Sequence, residues 1–234
     1  MLSYALEEMP WTEIEQALRR DRRLIVPVGA LEQHGPHLPL GANLLIARRV
    51  AREVSRSLGV LLAPSFSYGV TFGRGPFPGR AGIRRKTLHR AVNELLADWE
   101  DEGFDHFVLV TAHRFEPHLE ALLMAMTTKA ARSVCDLYEV DISDIVEGDP
   151  ESEHAGELET SLMLHLAPEL VRTDAIEDFI PRAGAIRRYT HRRVPKPPKG
   201  TSGVVGLPAA ATAEKGARIF SRWVGTLEAA LRDR

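Results

Sequence analysis

The sequence predicts an α/β fold, an αβα three-layer sandwich around a mainly parallel sheet. Two observations predict it. Short apolar runs rich in β-branched residues end in glycine, proline or polar loops. Between them lie longer stretches with the periodicity of amphipathic helices. Strand, helix, strand in succession is the pattern of a parallel sheet covered on both faces. The 234 residues, 44% of them apolar, suffice for one core, so a single domain over 1–234 is expected.

The elements follow in order. Residues 24–28 are an apolar run ending at Gly29 and read as a buried strand. Residues 44–58 read as a helix, with Leu45, Val50, Val54 and Leu58 on one stripe. A second short strand, 60–63, stops at Pro64. Residues 86–102 form an amphipathic helix pattern through Leu88, Val92, Leu95, Leu96 and Trp99. A third strand is expected over 106–111, and a helix over 117–131 that opens on Pro117. A fourth strand over 134–140 and helices over 157–165 and 209–231 complete the set. Two stretches, 65–85 and 178–206, are rich in glycine, proline and arginine and read as long loops, which in compact domains are often functional.

Composition excludes several partners. A net charge of −2 gives no global attraction to nucleic acid or an anionic membrane. Arg187, Arg188, Arg192 and Arg193 read as a solvated loop, because no aromatic platform accompanies them. The single cysteine, Cys135, rules out an intrachain disulfide and a cysteine zinc cluster, and reads as an inert buried thiol. No apolar stretch approaches the roughly 20 residues that span a bilayer, and the first residues lack a secretory pattern. A cytoplasmic protein acting on a small molecule is expected.

In open parallel sheets ligands bind beyond the carboxyl ends of the strands. The loop after the first strand carries Glu32, His34 and His37 within six residues. In extended chain Glu32 and His34 point the same way, and carboxylate with imidazole suits Zn²⁺, Mn²⁺ or Fe²⁺. The third strand delivers His113 to the same edge, as a ligand, a base or a capped loop histidine. After the fourth strand come His154 and Glu157. Acids are favoured in a first helical turn, and this simple reading serves for Glu153 and Glu159 but explains His154 less well.

Three segments, VPVGALEQHGPHLPLGAN, EHAGELETSLML and GVVGLPAAATAEKGARIF, resemble the creatininase (creatinine amidohydrolase) family over roughly residues 10–230. That family includes the mycofactocin-maturation peptidase and formamide hydrolases. The resemblance implies an αβα sandwich, a two-metal site and a homohexamer. It makes Glu32, His34, His113 and Glu157 metal ligands and His154 the acid/base. Glu32 and His113 would serve one ion, His34 and Glu157 the other.

The chain departs from the family pattern at four places, one of them Leu207, where an aspartate is usual near the C-terminal motif. Asn43 stands at the position of the bridging aspartate and is counted with the metal ligands on that ground, although a neutral amide cannot bridge two cations as a carboxylate does. Thr111-Ala112-His113-Arg114-Phe115-Glu116 replaces N-G-H-G-G-N, with Glu116 as a substitute carboxylate or a charge at a helix start. Arg80 stands where threonine is usual, and Arg74, Arg80, Arg84 and Arg85 either line an entrance or are solvated. The expected function is hydrolysis of a C–N bond in a small cyclic amide, formamide or peptide. The cofactor would be Zn or Mn, with Fe as a third choice, at one ion per chain or else two. The alternatives are a lyase, cyclisation or isomerisation step on the same fold, or a member without activity.

Overall fold

The computed structural model describes residues 3–71, 76–150, 153–181 and 199–232. Four parallel strands, β1 (Arg23–Pro27), β2 (Leu61–Leu62), β3 (His106–Thr111) and β4 (Ala131–Asp136), pair in the order β2-β1-β3-β4. Their register sets Ile25 beside Val108 and Leu109 beside Val134. The helices are α1 (Trp11–Leu18), α2 (Ala42–Leu58), α3 (Arg85–Asp101), α4 (Glu116–Leu123), α5 (Glu157–Leu166) and α6 (Ala213–Arg232).

Side chains on a strand alternate between faces, and here the alternation sorts the helices into two layers. Leu24, Val26, Phe107 and Leu109 pack with Leu88, Val92 and Leu96 of α3 and with Ala121 and Leu122 of α4. Ile25, Val108 and Val110 pack instead with Ile46, Val50 and Val54 of α2, Leu158 and Leu162 of α5, and Trp223 of α6. The fold is therefore the expected αβα sandwich. Each such aliphatic side chain, taken from water, contributes about 1.5–3 kcal/mol before the entropy of ordering the chain is charged against it.

Several boundaries differ from expectation. β4 begins three residues early and ends at Asp136, whose carboxylate accepts the Tyr138 N–H at 3.1 Å and turns the chain into a 3₁₀ turn over Leu137–Glu139. Most of β4 is only half-buried, so no continuous apolar run marks it. Helix α4 ends at Leu123 rather than 131. β2 is only two residues long. The terminal helix starts at Ala213, after a 3₁₀ turn over Pro208–Ala210, where Thr212 Oγ1 accepts the Lys215 N–H at 3.1 Å. Cys135 is half-buried, and burial with the neighbouring Asp136 pushes its thiol up to about 11. Arg74, Arg187, Arg188, Arg192 and Arg193 lie outside the described residues. Among the described residues, no helix is long and apolar enough to cross a membrane.

Candidate metal centre and catalytic site

The carboxyl ends of β1 and β3 lie side by side, because Val28 N–H continues the ladder to Val110 O at 2.8 Å. Past β1 the chain must squeeze against α2. A Cβ on Gly29 would lie 2.7 Å from the Leu44 Cα, so glycine alone permits this approach. The tight packing brings Asn43, at the start of α2, against the loop that carries Glu32 and His34.

Glu32, His34 and His113 are buried within a few per cent of completely. Each imidazole is pinned by a main-chain carbonyl. His34 Nδ1 donates to Glu32 O at 3.1 Å, His113 Nε2 to Val70 O at 2.8 Å, and His154 Nε2 to Gln33 O at 2.8 Å. A carbonyl only accepts, so these nitrogens carry the protons. The opposite nitrogens of two rings then face carboxylates. His113 Nδ1 is 2.9 Å from Glu32 Oε1, and His34 Nε2 is 3.4 Å from Glu159 Oε1. The rings of His34 and His154 lie 4.8 Å apart, centroid to centroid.

The structure brings Glu32, His34, His113 and His154 together, but not Glu157. The Glu157 carboxylate is fully buried elsewhere. Its Oε1 takes Lys215 Nζ at 2.5 Å, and its Oε2 accepts the Glu147 and Gly148 N–H groups at 2.7 and 2.9 Å. All its strong acceptor directions are spent away from the histidines. Glu159, read from sequence as capping chemistry, stands in the cluster instead. Tyr138 Oη donates to it at 2.7 Å and Ala155 N–H at 2.6 Å, which aims the carboxylate at His34. Glu153 does accept at the helix start, from Leu158 N–H at 2.8 Å. No local signal separates Glu157 from Glu159: both are buried acids in the first turn of α5.

Asn43 also departs from its expected role. Its Oδ1 accepts the Ala30 N–H at 2.9 Å, which turns its Nδ2 toward Glu32 Oε1 at 3.4 Å. The residue presents a donor to Glu32, not an oxygen to a cation. Glu116 is exposed at the start of α4, so it is a helix-start charge and not a replacement ligand. Arg114 approaches Glu139, at 3.6 Å. Arg80 donates to Thr71 Oγ1 at 3.1 Å, and Arg85 pairs with Glu120 at 2.6 Å.

The electrostatics are those of two crossed pairs. Burial opposes the charge on Glu32, but His113, His154 and His34 overcome it and hold the carboxyl below the usual range. Burial likewise opposes protonation of His34, yet Glu159 and Glu32 raise it to about 9. His113 is raised by Glu32 against the same burial cost. His154 is lowered, by burial and by His34.

The donor set fits a divalent metal ion. Among the described residues, Glu32 Oε2 is a buried atom without a hydrogen-bond partner, and His34 Nε2 has only its 3.4 Å contact with Glu159 Oε1. Buried polar atoms rarely stay so. Two ligands each about 2.1 Å from an ion at tetrahedral angles are separated by roughly 3.4 Å, as His34 Nε2 and Glu159 Oε1 are. One ligand atom each from Glu32, His34 and His154 also falls within 4.8 Å of the others. Metal-ligating histidines characteristically donate their second nitrogen to a carbonyl or carboxylate, and all three imidazoles here do.

Fold and cluster together point to a class: αβα proteins with a candidate site of imidazoles and carboxylates at the carboxyl edge of a parallel sheet. The family model for creatininase, described as creatinine amidohydrolase, matches residues 7–231. The chain is 31% identical over 199 residues to the creatinine amidohydrolase of Pseudomonas putida, covering 74% of this chain and 76% of that one. It is 33% identical over 219 residues to the mycofactocin precursor peptide peptidase of Mycobacterium ulcerans (strain Agy99), covering 86% and 81%. A solved structure titled "Creatininase Mn" superposes with a TM-score of 0.86 at 26% identity, over 99% of this chain and 98% of that one. A mutant creatininase titled as of Zn-Zn type gives the same TM-score and identity over 100% and 98%. The chain belongs to the creatininase family, as a creatininase-family amidohydrolase.

Proposed function

We propose that the chain hydrolyses a C–N bond of a small cyclic amide, formamide or short peptide with a divalent ion, Zn²⁺ or Mn²⁺, held by Glu32 and His34, with His113 and Glu159 set against them. The observation that carries this reading is the orientation of the imidazoles. His34 and His113 are pinned by carbonyls so that their second nitrogens face two buried carboxylates. A divalent ion there supplies Lewis-acid polarisation of a carbonyl and a water of lowered pKa.

The chain's own residues do the rest. His154, held by Gln33 O, is the acid/base that passes a proton to the leaving nitrogen. Burial lowers its pKa, which suits a group that must first accept a proton. Tyr138 and the Ala155 N–H keep Glu159 from rotating away from His34. One ion per chain is the count that Asn43 supports, since its amide hydrogen points at Glu32 where a bridging carboxylate would be needed. A homo-oligomer in the cytoplasm belongs to the same reading. Leu123, Met124 and Met126, exposed at the end of α4, are side chains that an oligomer would cover.

The test is elemental analysis of the purified protein, with hydrolysis assayed on a cyclic amide such as creatinine, a formamide and short peptides. One equivalent of metal and chelator-sensitive release of an amine are expected. Protein that takes up neither Zn²⁺ nor Mn²⁺ on soaking would sink the proposal.

A further inference from the structure

His118 is a buried histidine that the reaction does not use. It lies in α4, with none of its surface exposed. Its Nδ1 accepts the Val70 N–H at 3.3 Å, and its Nε2 meets Thr111 Oγ1 at 3.3 Å. A protonated imidazole cannot accept at Nδ1, so the ring is neutral, with its hydrogen on Nε2 directed at Thr111.

Both partners of His118 also hold His113. Val70 O accepts from His113 Nε2 at 2.8 Å, and Thr111 Oγ1 accepts the His113 main-chain N–H at 3.2 Å. The two rings meet edge to face, 4.7 Å apart. The loop carrying Val70 is shaped around this contact. A Cβ on Gly69 would lie 2.6 Å from the His118 ring and 2.5 Å from Gly29 O. His118 thus acts through one residue: it holds the Val70 N–H, and the Val70 carbonyl holds His113.

We propose that His118 is a positioning residue that sets the orientation of His113, through Val70 and Thr111, so that Nδ1 of His113 faces Glu32. The inference rests on the metal reading only for its affinity readout. Partners that orient a metal-binding imidazole typically matter by about 10–100-fold in metal affinity.

The experiment compares wild-type protein with His118→Leu and His118→Asn. Leucine fills the space without accepting a hydrogen bond. Asparagine returns an acceptor near the Nδ1 position. Zn²⁺ affinity is measured by competition with a chromophoric chelator. In metal-free protein the His113 Nε2–H proton, bonded to Val70 O, is followed by NMR as a slowly exchanging downfield resonance.

We expect His118→Leu to weaken Zn²⁺ about 10–100-fold and to abolish the slow resonance, with His118→Asn restoring both. Wild-type affinity or an unchanged resonance in His118→Leu would overturn the proposal. Failure of the wild-type protein to bind Zn²⁺ would instead remove the metal reading, and the resonance alone would then decide the role of His118. If His118→Leu does not fold, Thr111→Val removes one hydroxyl from the same clamp. Loss of the resonance there supports the proposal and its retention refutes it.

Discussion

Lys215 Nζ lies 2.5 Å from Glu157 Oε1, and a contact formed 58 residues along the chain thereby gives two neighbouring acids different duties. Glu157 ties α5 to α6 and to the loop before α5, with Glu147 Oε1 as a second partner of Lys215 at 2.9 Å. Glu159, two residues on, is left for the histidines.

Removing the lysine strands the Glu157 charge in a dry environment. Breaking a buried pair from one side costs about 3–5 kcal/mol, and the half-exposed surroundings of Lys215 place Lys215→Met at the lower end. Lys215→Met with Glu157→Gln should recover most of the loss. Urea unfolding midpoints of the single and double variants check this, and equal midpoints would refute the coupling.

The same division of labour predicts opposite metal phenotypes. Glu159→Gln should lose at least tenfold in Zn²⁺ affinity, while Glu157→Gln should bind Zn²⁺ as the wild type does. Competition titration of the two proteins decides it. The reverse result would return Glu157 to the site.

Asn43→Asp tests the ion count. The new carboxylate would keep the Ala30 N–H bond through one oxygen and place the other against Glu32 Oε1, where the amide hydrogen now sits. Like charges so close destabilise the metal-free protein unless a cation intervenes. The variant should melt below wild type without metal, and should bind a second equivalent in elemental analysis. An unchanged count would mean that Asn43 does not limit the site.

His37 supplies a pH prediction for the metal-free protein. Burial depresses its imidazole to about 4, and its Nε2 meets Thr160 Oγ1 at 2.8 Å. Its ordinary value in the unfolded chain is about 6.5. The unfolded state therefore binds more protons between those values, so this contribution is complete above about 6.5 and is lost as pH falls toward about 4. The advantage of wild type over His37→Gln in melting temperature should shrink across that window. A constant difference from pH 7 to pH 4 would refute it.

Much of this was legible in the sequence, for physical reasons that differ by residue. Strands β1 and β3 are buried on both faces, so their apolar runs stand out. β4 is half-covered and carries no such run, and its register comes from pairing with β3. Glu32, His34 and His113 follow directly from strand ends, because a strand end fixes where the next residues go. Glu159 does not, since the distinction from Glu157 is made by distant Lys215. His118 reads as an ordinary helix residue until the loop carrying Val70 is seen folded over it.

The pinned imidazoles also bear on how the protein lives without its ion. Glu159 and Glu32 draw His34 and His113 toward their protonated forms, so positive charge faces negative charge across both contacts. An arriving dication would displace protons from these imidazoles instead of only adding charge. Calorimetry in buffers of different ionisation enthalpy should count them, and zero protons released would refute the exchange. The centre then behaves as a socket and not as a staple: chelation should disarm the enzyme while leaving it folded and ready to be recharged.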